Sequence, residues 1–356
     1  MSSAAPNLLP LEPLGIKEHK LSGTSFILRD IHKEFIYKVV PTYSATEAIF
    51  YSVAYRMNTP LDGLRGNDIK REDFKDLNFL VDNEIIPFFN GVVPLSHNIE
   101  LSDQHTWYEI QSGKVTQICK AIKLENLLLG FEKPAVIDIK LGGHNINYDF
   151  NYGNLSEEDR LMFIEHWRNL KHTYRKAIIN REPMSKQTFD ISASDLGLPE
   201  QFDSLDRYSL HTLLKTWRQK QVASETTELE LGFRISSIYI HDPLYKITSS
   251  EAKKLNSSEA THILQRIFSD RLNLQKCLLH TLKLLRDWIS IQNSISVVAS
   301  SILITFDQLN DNLCKAKWVD FAHVDAEKSI VFENHQPSNM MRGIDNLVRI
   351  IEKAKG

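Results

Sequence analysis

Cysteine is scarce: there are three in 356 residues, Cys119, Cys277 and Cys314, far apart and without CxxC spacing. A disulfide framework and a cysteine-rich zinc site are thereby excluded, and reduced thiols in the cytoplasm or nucleus are expected. Glycine is missing where nucleotide-binding loops need it. There is no Walker A motif and no G-x-G-x-x-G, and Leu21-Ser22-Gly23-Thr24 offers one glycine near a phosphate-covering turn. P-loop, classical protein-kinase and Rossmann dehydrogenase readings lose support accordingly. No apolar run reaches the roughly 18–20 residues of a membrane span. Met1–Pro13 lacks a basic n-region and an apolar core, so no signal peptide is expected. Net charge is −3, which supplies no global field for nucleic acid or a membrane surface. A polyanionic ligand would need a local basic patch. Internal repeats and low-complexity tracts are absent too.

What is present is ordinary globular material, 42% hydrophobic and 24% charged, long enough for one large domain or two lobes. Residues 1–20 read as a loosely ordered arm. Ser25–Leu28 and Glu34–Val40 read as a hairpin, and Ser44 caps a helix over Ala45–Met57 whose Ile49, Val53 and Met57 share one side. Asn58–Asp76 reads as a polar surface loop. Ile85–Val93, His105–Ile110 and Val115–Leu124 read as strands, which makes 21–124 an α+β lobe. Residues 125–130 connect it to a second lobe, 131–356, opening on the strand Pro134–Leu141. Ser156-Glu157-Glu158-Asp159 resembles a capping box for a helix to about Asn180, with Leu161, Ile164, Trp167, Leu170, Tyr174 and Ile178 as its apolar stripe. After a polar link, Arg181–Ser204, a helix is expected near Leu205–Gln221. Then come a helical stretch (Ser258–Gln292), strands at Ser296–Phe306 and Lys317–Phe321, and a last helix (Asn339–Lys355).

Three places carry charge where apolar strands predominate. In Pro134-Ala-Val-Ile-Asp-Ile-Lys-Leu-Gly142, alternation puts Asp138 and Lys140 on one face and Ile137, Ile139 and Leu141 on the other. Burying that acid and that base is costly unless they pair or meet a ligand, so a structural salt bridge and a ligand site are both open. Asp320 closes an apolar run, as a magnesium ligand facing a nucleotide would, or as a residue capping the next turn. Lys38 sits inside Phe35–Val40 with Glu47 on the following helix, the layout of a phosphate-gripping lysine and its partner, although edge strands also carry lysines.

Pro134–Gly142 matches the P-x-x-x-D-x-K-x-G pattern of the inositol polyphosphate kinase family, and five further elements follow that family in order. Lys123-Leu-Glu-Asn-Leu127 resembles its interlobe hinge, and Leu231-Gly-Phe-Arg234 its L-G-F-R element. Ala299-Ser-Ser-Ile-Leu303 is similar to its S-S-L-L strand, and Asp320-Phe-Ala-His323 to its D-F-A-H metal motif. Gly343-Ile-Asp-Asn-Leu347 resembles the G-L-x-N-L of its last helix. The resemblance implies a two-lobed, protein-kinase-like (SAICAR-synthetase-like) α+β fold with ATP and Mg2+ between the lobes. It implies that Lys38 grips the ATP phosphates, steadied by Glu47, that Glu125, Asn126 and Leu127 hold the adenine, and that Ser301 also lies at the nucleotide. Asp138 would contact the nucleotide or orient the reacting hydroxyl, Lys140 would bridge γ-phosphate and acceptor, and Asp320 would hold the metal.

The D-F-A-H text leans toward the multikinase or hexakisphosphate kinase branches. The long Gly143–Glu230 stretch and Thr216-Trp-Arg-Gln219 are similar instead to trisphosphate 3-kinases. A helical inositol-binding insertion over about 150–225 is the expectation. Within it, Arg168, Lys171 and Arg175 follow i, i+3, i+7 spacing, and Lys215, Arg218 and Lys220 cluster on the next helix. They either bind substrate phosphates or form solvated basic faces. The expected protein is therefore a monomeric ATP-dependent kinase of inositol tris- and tetrakisphosphate, with no nucleic-acid partner and no membrane span. A scaffold that keeps the fold and docks protein partners through its polar segments is the alternative; retention of Lys38, Asp138, Lys140 and Asp320 favours activity.

Overall fold

The computed structural model describes residues 11–13, 27–30, 32–40, 46–57, 77–94, 120–142, 155–179, 192–205, 207–241, 243–292, 295–297, 299–322, 324–326 and 338–354. Its first elements are β1 (Leu11–Pro13), β2 (Ile27–Asp30), β3 (Phe35–Val40), α1 (Thr46–Ala54), α2 (Asn78–Asp82), β4 (Phe89–Pro94), β5 (Lys120–Glu125) and β6 (Pro134–Leu141). Next are α3 (Glu157–Ile179), two 3-10 turns, α4 (Arg207–Ser224), α5 (Glu228–Leu231), β7 (Phe233–Ile240), β8 (Tyr245–Ile247) and α6 (Ser249–Ala252). The chain continues through α7 (Ser257–Phe268), α8 (Leu272–Ile291), β9 (Ile295–Val297), β10 (Ser300–Asp307), β11 (Cys314–Val319), β12 (Val324–Ala326) and α9 (Ser338–Lys353).

The class is α+β. One five-stranded sheet has the order β1-β2-β3-β5-β4, a second has β11-β10-β6-β7-β8, and β12 pairs with β9. Every ladder is antiparallel, which needs no helical crossover between neighbours.

Strand alternation divides the second sheet into an apolar and a chemical face. Ile137 faces Ile304, which faces Ala316; Ile139 faces Ile302, which faces Trp318. These residues are buried with Leu278, Leu282, Leu285 and Trp288 of α8 and Ile344, Leu347 and Ile351 of α9. Each such large side chain contributes on the order of 1.5–3 kcal/mol when removed from water. The residues one step along each strand, Asp138, Lys140, Ser301 and Lys317, necessarily take the other face. The same apolar cluster includes Phe50 and Tyr51 of α1 and Phe89 of β4, so both sheets share one core.

The described chain divides into two units. Both sheets belong to the first; α3, α4 and the 3-10 turns belong to the second. The second has its own core of Phe163, Ile164, Trp167, Leu196, Phe202, Leu210, Leu213, Leu214 and Trp217. Its α3 opens with the expected cap, Ser156 Oγ accepting from Asp159 N at 3.1 Å.

Several expectations need correction. Leu11–Pro13, inside the expected arm, is a three-residue edge strand ending in proline, too short to carry a periodic signal. Ile85–Phe88 is not strand; β4 begins at Phe89. The stretch Ser258–Gln292 is two helices broken at Ser269–Arg271, where Arg271 Nη1 and Gln275 Nε2 donate to the carbonyls of Ile267 and Phe268. The run Ser296–Phe306 is likewise two strands in different sheets, parted at Ala299, whose φ is 57°. The strands β7 and β8 lie in a stretch that pattern reading passed over. The regions 58–76, 105–119 and 180–191 lie outside the described residues, as does His323 of the metal motif.

Candidate active site

Two lysines from different sheets meet on one carboxylate. Lys38, on β3, donates to Glu47 Oε1 of α1 at 2.8 Å and to Asp320 Oδ1 at 2.9 Å. Lys140, on β6, donates to Asp320 Oδ2 at 2.7 Å and to the Ala299 carbonyl at 3.2 Å. Burial alone would depress the Lys38 ammonium, but the carboxylates of Asp320 and Glu47 outweigh it and hold it above the ordinary lysine range. Asp320 is the mirror case. Desolvation pushes its carboxyl up, and Lys38 and Lys140 pull it well below the usual carboxylate range.

The backbone around this knot is unusual. Asp320 follows β11 at φ 69° and Ala299 precedes β10 at φ 57°, both left-handed. Such positions cost about 1–3 kcal/mol for a residue with a Cβ and persist where the surroundings enforce them. Both contact the Lys140 ammonium. At Asp320 the enforcement is visible in the next residue: the Phe321 ring stacks on Phe50 of α1 at 3.9 Å and meets Trp318 edge-on at 4.8 Å.

Asp138 and Ser301 neighbour Lys140, along β6 and across the β6–β10 ladder. Asp138, 6% exposed, stands between Ser237 of β7 and Leu303 of β10. Ser301 is paired with Lys140, is fully buried, and its Oγ has no partner among the described residues. The connection after β5 is tied to both sheets. Glu125 accepts from Phe88 N at 2.9 Å and from Lys315 Nζ at 3.3 Å. Asn126 N donates to the Glu34 carbonyl, Glu125 N to that of Phe88, and the Leu127 carbonyl accepts from Thr305 Oγ1 at 3.4 Å.

Of the expected substrate residues, Arg168 and Arg218 lie in the second unit on different helices. Burial, and then the charge of Arg168, push the Arg218 guanidinium below its ordinary value. Arg168 Nη1 bonds Glu165 at 3.0 Å, and Arg218 Nη1 bonds Gln221 at 2.7 Å. The side chains of Lys171, Arg175 and Lys215 lie outside the described residues. Sequence reading gave no role to Ala299, Phe50, Glu228 or Arg234, although Arg234 was visible as the end of L-G-F-R.

Magnesium fits the donor set. Among the described residues no group of three or more His, Cys, Asp or Glu converges, so a closed all-protein cage is not available there. Asp320, whose side chain is 37% exposed, offers the single carboxylate that magnesium characteristically takes alongside phosphate oxygens and water.

The fold sets two lysines of different sheets on the one aspartate that follows β11. The profile of the inositol polyphosphate kinase family matches residues 121–352, and the chain belongs to that family. No curated protein matches it. Among solved structures it is similar to the S. cerevisiae inositol phosphate multikinase Ipk2 in complex with ADP and Mn2+. That pair is 16% identical, with 90% of this chain and 98% of that chain covered and a TM-score of 0.46. A structure from structural and engineering studies of inositol phosphate multikinase is 20% identical, covering 65% of this chain and 84% of that one, with a TM-score of 0.38. Family membership rests on the profile match.

Proposed function

We propose that this kinase uses Mg-ATP to phosphorylate hydroxyls of inositol tris- and tetrakisphosphate, in the manner of a multikinase. The observation that carries the reading is the Lys38–Asp320–Lys140 bridge, because it gathers two cations and a metal-competent carboxylate at one point. Phosphoryl transfer asks a protein for little else: positioning, and stabilisation of charge on the transferred group.

In this reading Lys38 exchanges Asp320 for triphosphate oxygens while Glu47 keeps its ammonium in place. Lys140, freed on its Asp320 side, balances the charge that builds on the γ-phosphoryl group. Asp138 accepts a hydrogen bond from the attacking hydroxyl and orients it. Residues Glu125–Leu127 and Ser301 border the nucleotide. Bound magnesium, with Asp320 as its ligand, would neutralise the phosphates and polarise the phosphorus. Arg168, Lys171, Arg175, Lys215 and Arg218 take the phosphates of the inositol. Two arginines close enough to disfavour one another, as Arg168 and Arg218 are, gain from an anion between them. The free Cys277 and Cys314 thiols fit a reducing compartment, cytoplasm or nucleus.

The test is direct. Purified protein is incubated with Mg-ATP and each of inositol tris-, tetrakis-, pentakis- and hexakisphosphate, and the products are separated by chromatography. Conversion of the tris- and tetrakisphosphates is expected. Conversion of trisphosphate alone would make it a 3-kinase, of hexakisphosphate alone a hexakisphosphate kinase; no transfer to any would refute the proposal.

A further inference from the structure

The β7 strand presents Ser237 opposite Asp138 and Arg234 opposite Lys140. Residues three apart on a regular strand lie on opposite faces. Here both reach the chemical face, because the register shifts between Asp138 and Ile139 and the bulge absorbs Ser236. Bulges cost ladder pairing and are commonly used to re-aim a side chain beside a site. The side chain re-aimed here is Arg234.

Its surroundings fix its orientation. Arg234 Nε donates to Glu228 Oε1 at 2.5 Å, and the two side chains are 13% and 5% exposed. Its Nη1 is buried and meets no partner among the described residues, so Glu228 engages only one edge of the guanidinium. The α5–β7 turn that carries both residues is clamped by α9. Arg342 Nη2 donates to the Leu229 carbonyl at 2.8 Å and Asn346 Nδ2 to that of Leu231 at 2.8 Å. Gly343 approaches so closely that an added Cβ would lie 2.3 Å from the Gly232 carbonyl oxygen. Two motifs without an assigned role, L-G-F-R and G-I-D-N-L, thus meet to hold one arginine beside Lys140.

A lysine has four methylenes and many rotamers to lose, so its ammonium needs a reason to occupy one place. On the β11 side the reason is the Asp320 carboxylate. Across the ladder on the β7 side stands a like charge. The Lys140 ammonium is indeed found away from β7, on Asp320 and the Ala299 carbonyl. Glu228 also feels that cation. Burial pushes its carboxyl up, while Arg234 first, and then Lys140, pull it back.

We infer that Arg234 is a positioning residue for phosphoryl transfer: anchored by Glu228, it repels the Lys140 ammonium from β7 and confines it to the side where charge develops. This rests on Lys140 as the cation of the proposed reaction. Confinement would matter most with Asp320 engaged as a metal ligand, when it would no longer hold Lys140 itself.

The test compares Arg234→Gln, which removes the charge, with Arg234→Lys, which keeps it. Turnover of inositol trisphosphate is measured beside the NMR signal of the Lys140 ε-CH2 group in 13C-lysine-labelled protein, assigned by its loss in Lys140→Met. Arg234→Gln is expected to lower kcat about tenfold with the KM for ATP changed by less than about twofold. It is also expected to shift the Lys140 signal and average its two ε protons. Arg234→Lys is expected to restore both. A Lys140 signal unmoved in a folded Arg234→Gln variant would overturn the inference whatever the activity. Equal losses of kcat in both variants with a falling thermal midpoint would do the same, since that marks a structural role. A wild-type protein without transferase activity would defeat the reaction assigned above and still leave the NMR comparison to decide the positioning.

Discussion

Lys38 and Lys140 touch the same carboxylate, yet their removal should have very different effects on stability. Lys38 is 9% exposed and lies between Glu47 and Asp320. In Lys38→Met the side-chain length is kept, Asp320 retains Lys140, and Glu47, 8% exposed, loses its cation. A buried charge left without its partner costs about 3–5 kcal/mol. In Lys140→Met, Asp320 keeps Lys38 and its side chain remains 37% exposed, so water screens what is lost and about 0–1 kcal/mol is expected. A loss of about 3 kcal/mol corresponds to roughly 4–6 °C in thermal midpoint for a chain of 356 residues. Adding Glu47→Gln to Lys38→Met removes the stranded charge and should recover most of that drop without recovering turnover. Thermal melts of the four proteins, with kinase assays alongside, decide the matter. Equal destabilisation by the two lysine variants, or no rescue by Glu47→Gln, would refute this account of the charge balance.

Asp320→Asn should lower magnesium-dependent ATP affinity about tenfold or more, read by nucleotide titration with and without magnesium, because Asp320 is the metal ligand proposed above. Asp307, almost fully buried, accepts from Glu132 N at 2.6 Å, Leu309 N at 2.9 Å and Lys133 N at 3.3 Å. Asp307→Asn turns one of the two acceptor oxygens into a donor facing an N–H and should cost about 1–3 kcal/mol by urea melt. Burial raises the Asp307 carboxyl, but those three donors outweigh it and hold it below its ordinary value. Its contribution is therefore complete above the unfolded carboxylate range and is lost as pH falls through the folded value, so Asp307→Asn should flatten the acid limb of the stability curve. Gly343→Ala should destabilise by about 1–3 kcal/mol, because α9 must retreat from the Gly232 carbonyl; an unchanged melt would show that the close approach is not needed.

Much of this site could be read from the chain. The strand Pro134–Leu141 is predicted residue for residue, since charge at two alternate positions of an apolar run leaves few other conformations. Lys38 and Asp320 are legible as lone charges in apolar runs and Glu47 as the acid on the helix after Lys38, and the three converge. Illegible were the contacts that depend on a partner distant in sequence. Phe50 gives no hint that it stacks on Phe321, 271 positions later, because a core aromatic reads alike whatever it touches. The Ala299 carbonyl carries no side-chain signal, and the split it makes between β9 and β10 is hidden in a run that looks like continuous strand.

Arg234 marks the sharper limit. Alternation along Phe233–Ile240 sets Arg234 and Ser237 on opposite faces, so period-two reasoning sends one of them away from Asp138 and Lys140. Only the bulge at Ser236 brings them together, and a bulge is one extra residue with no composition of its own. The chain tolerates it because α9 fixes the turn before the strand and β8 holds its far end, at Ile238, Tyr239 and Ile240. The irregularity is thereby confined to the level of Asp138 and Lys140. Local sequence rules thus fail at the position where a regular strand would have turned a cation away from Lys140. A departure from regularity that two flanking elements are built to sustain points to what the site requires of that strand: a second positive charge beside the first.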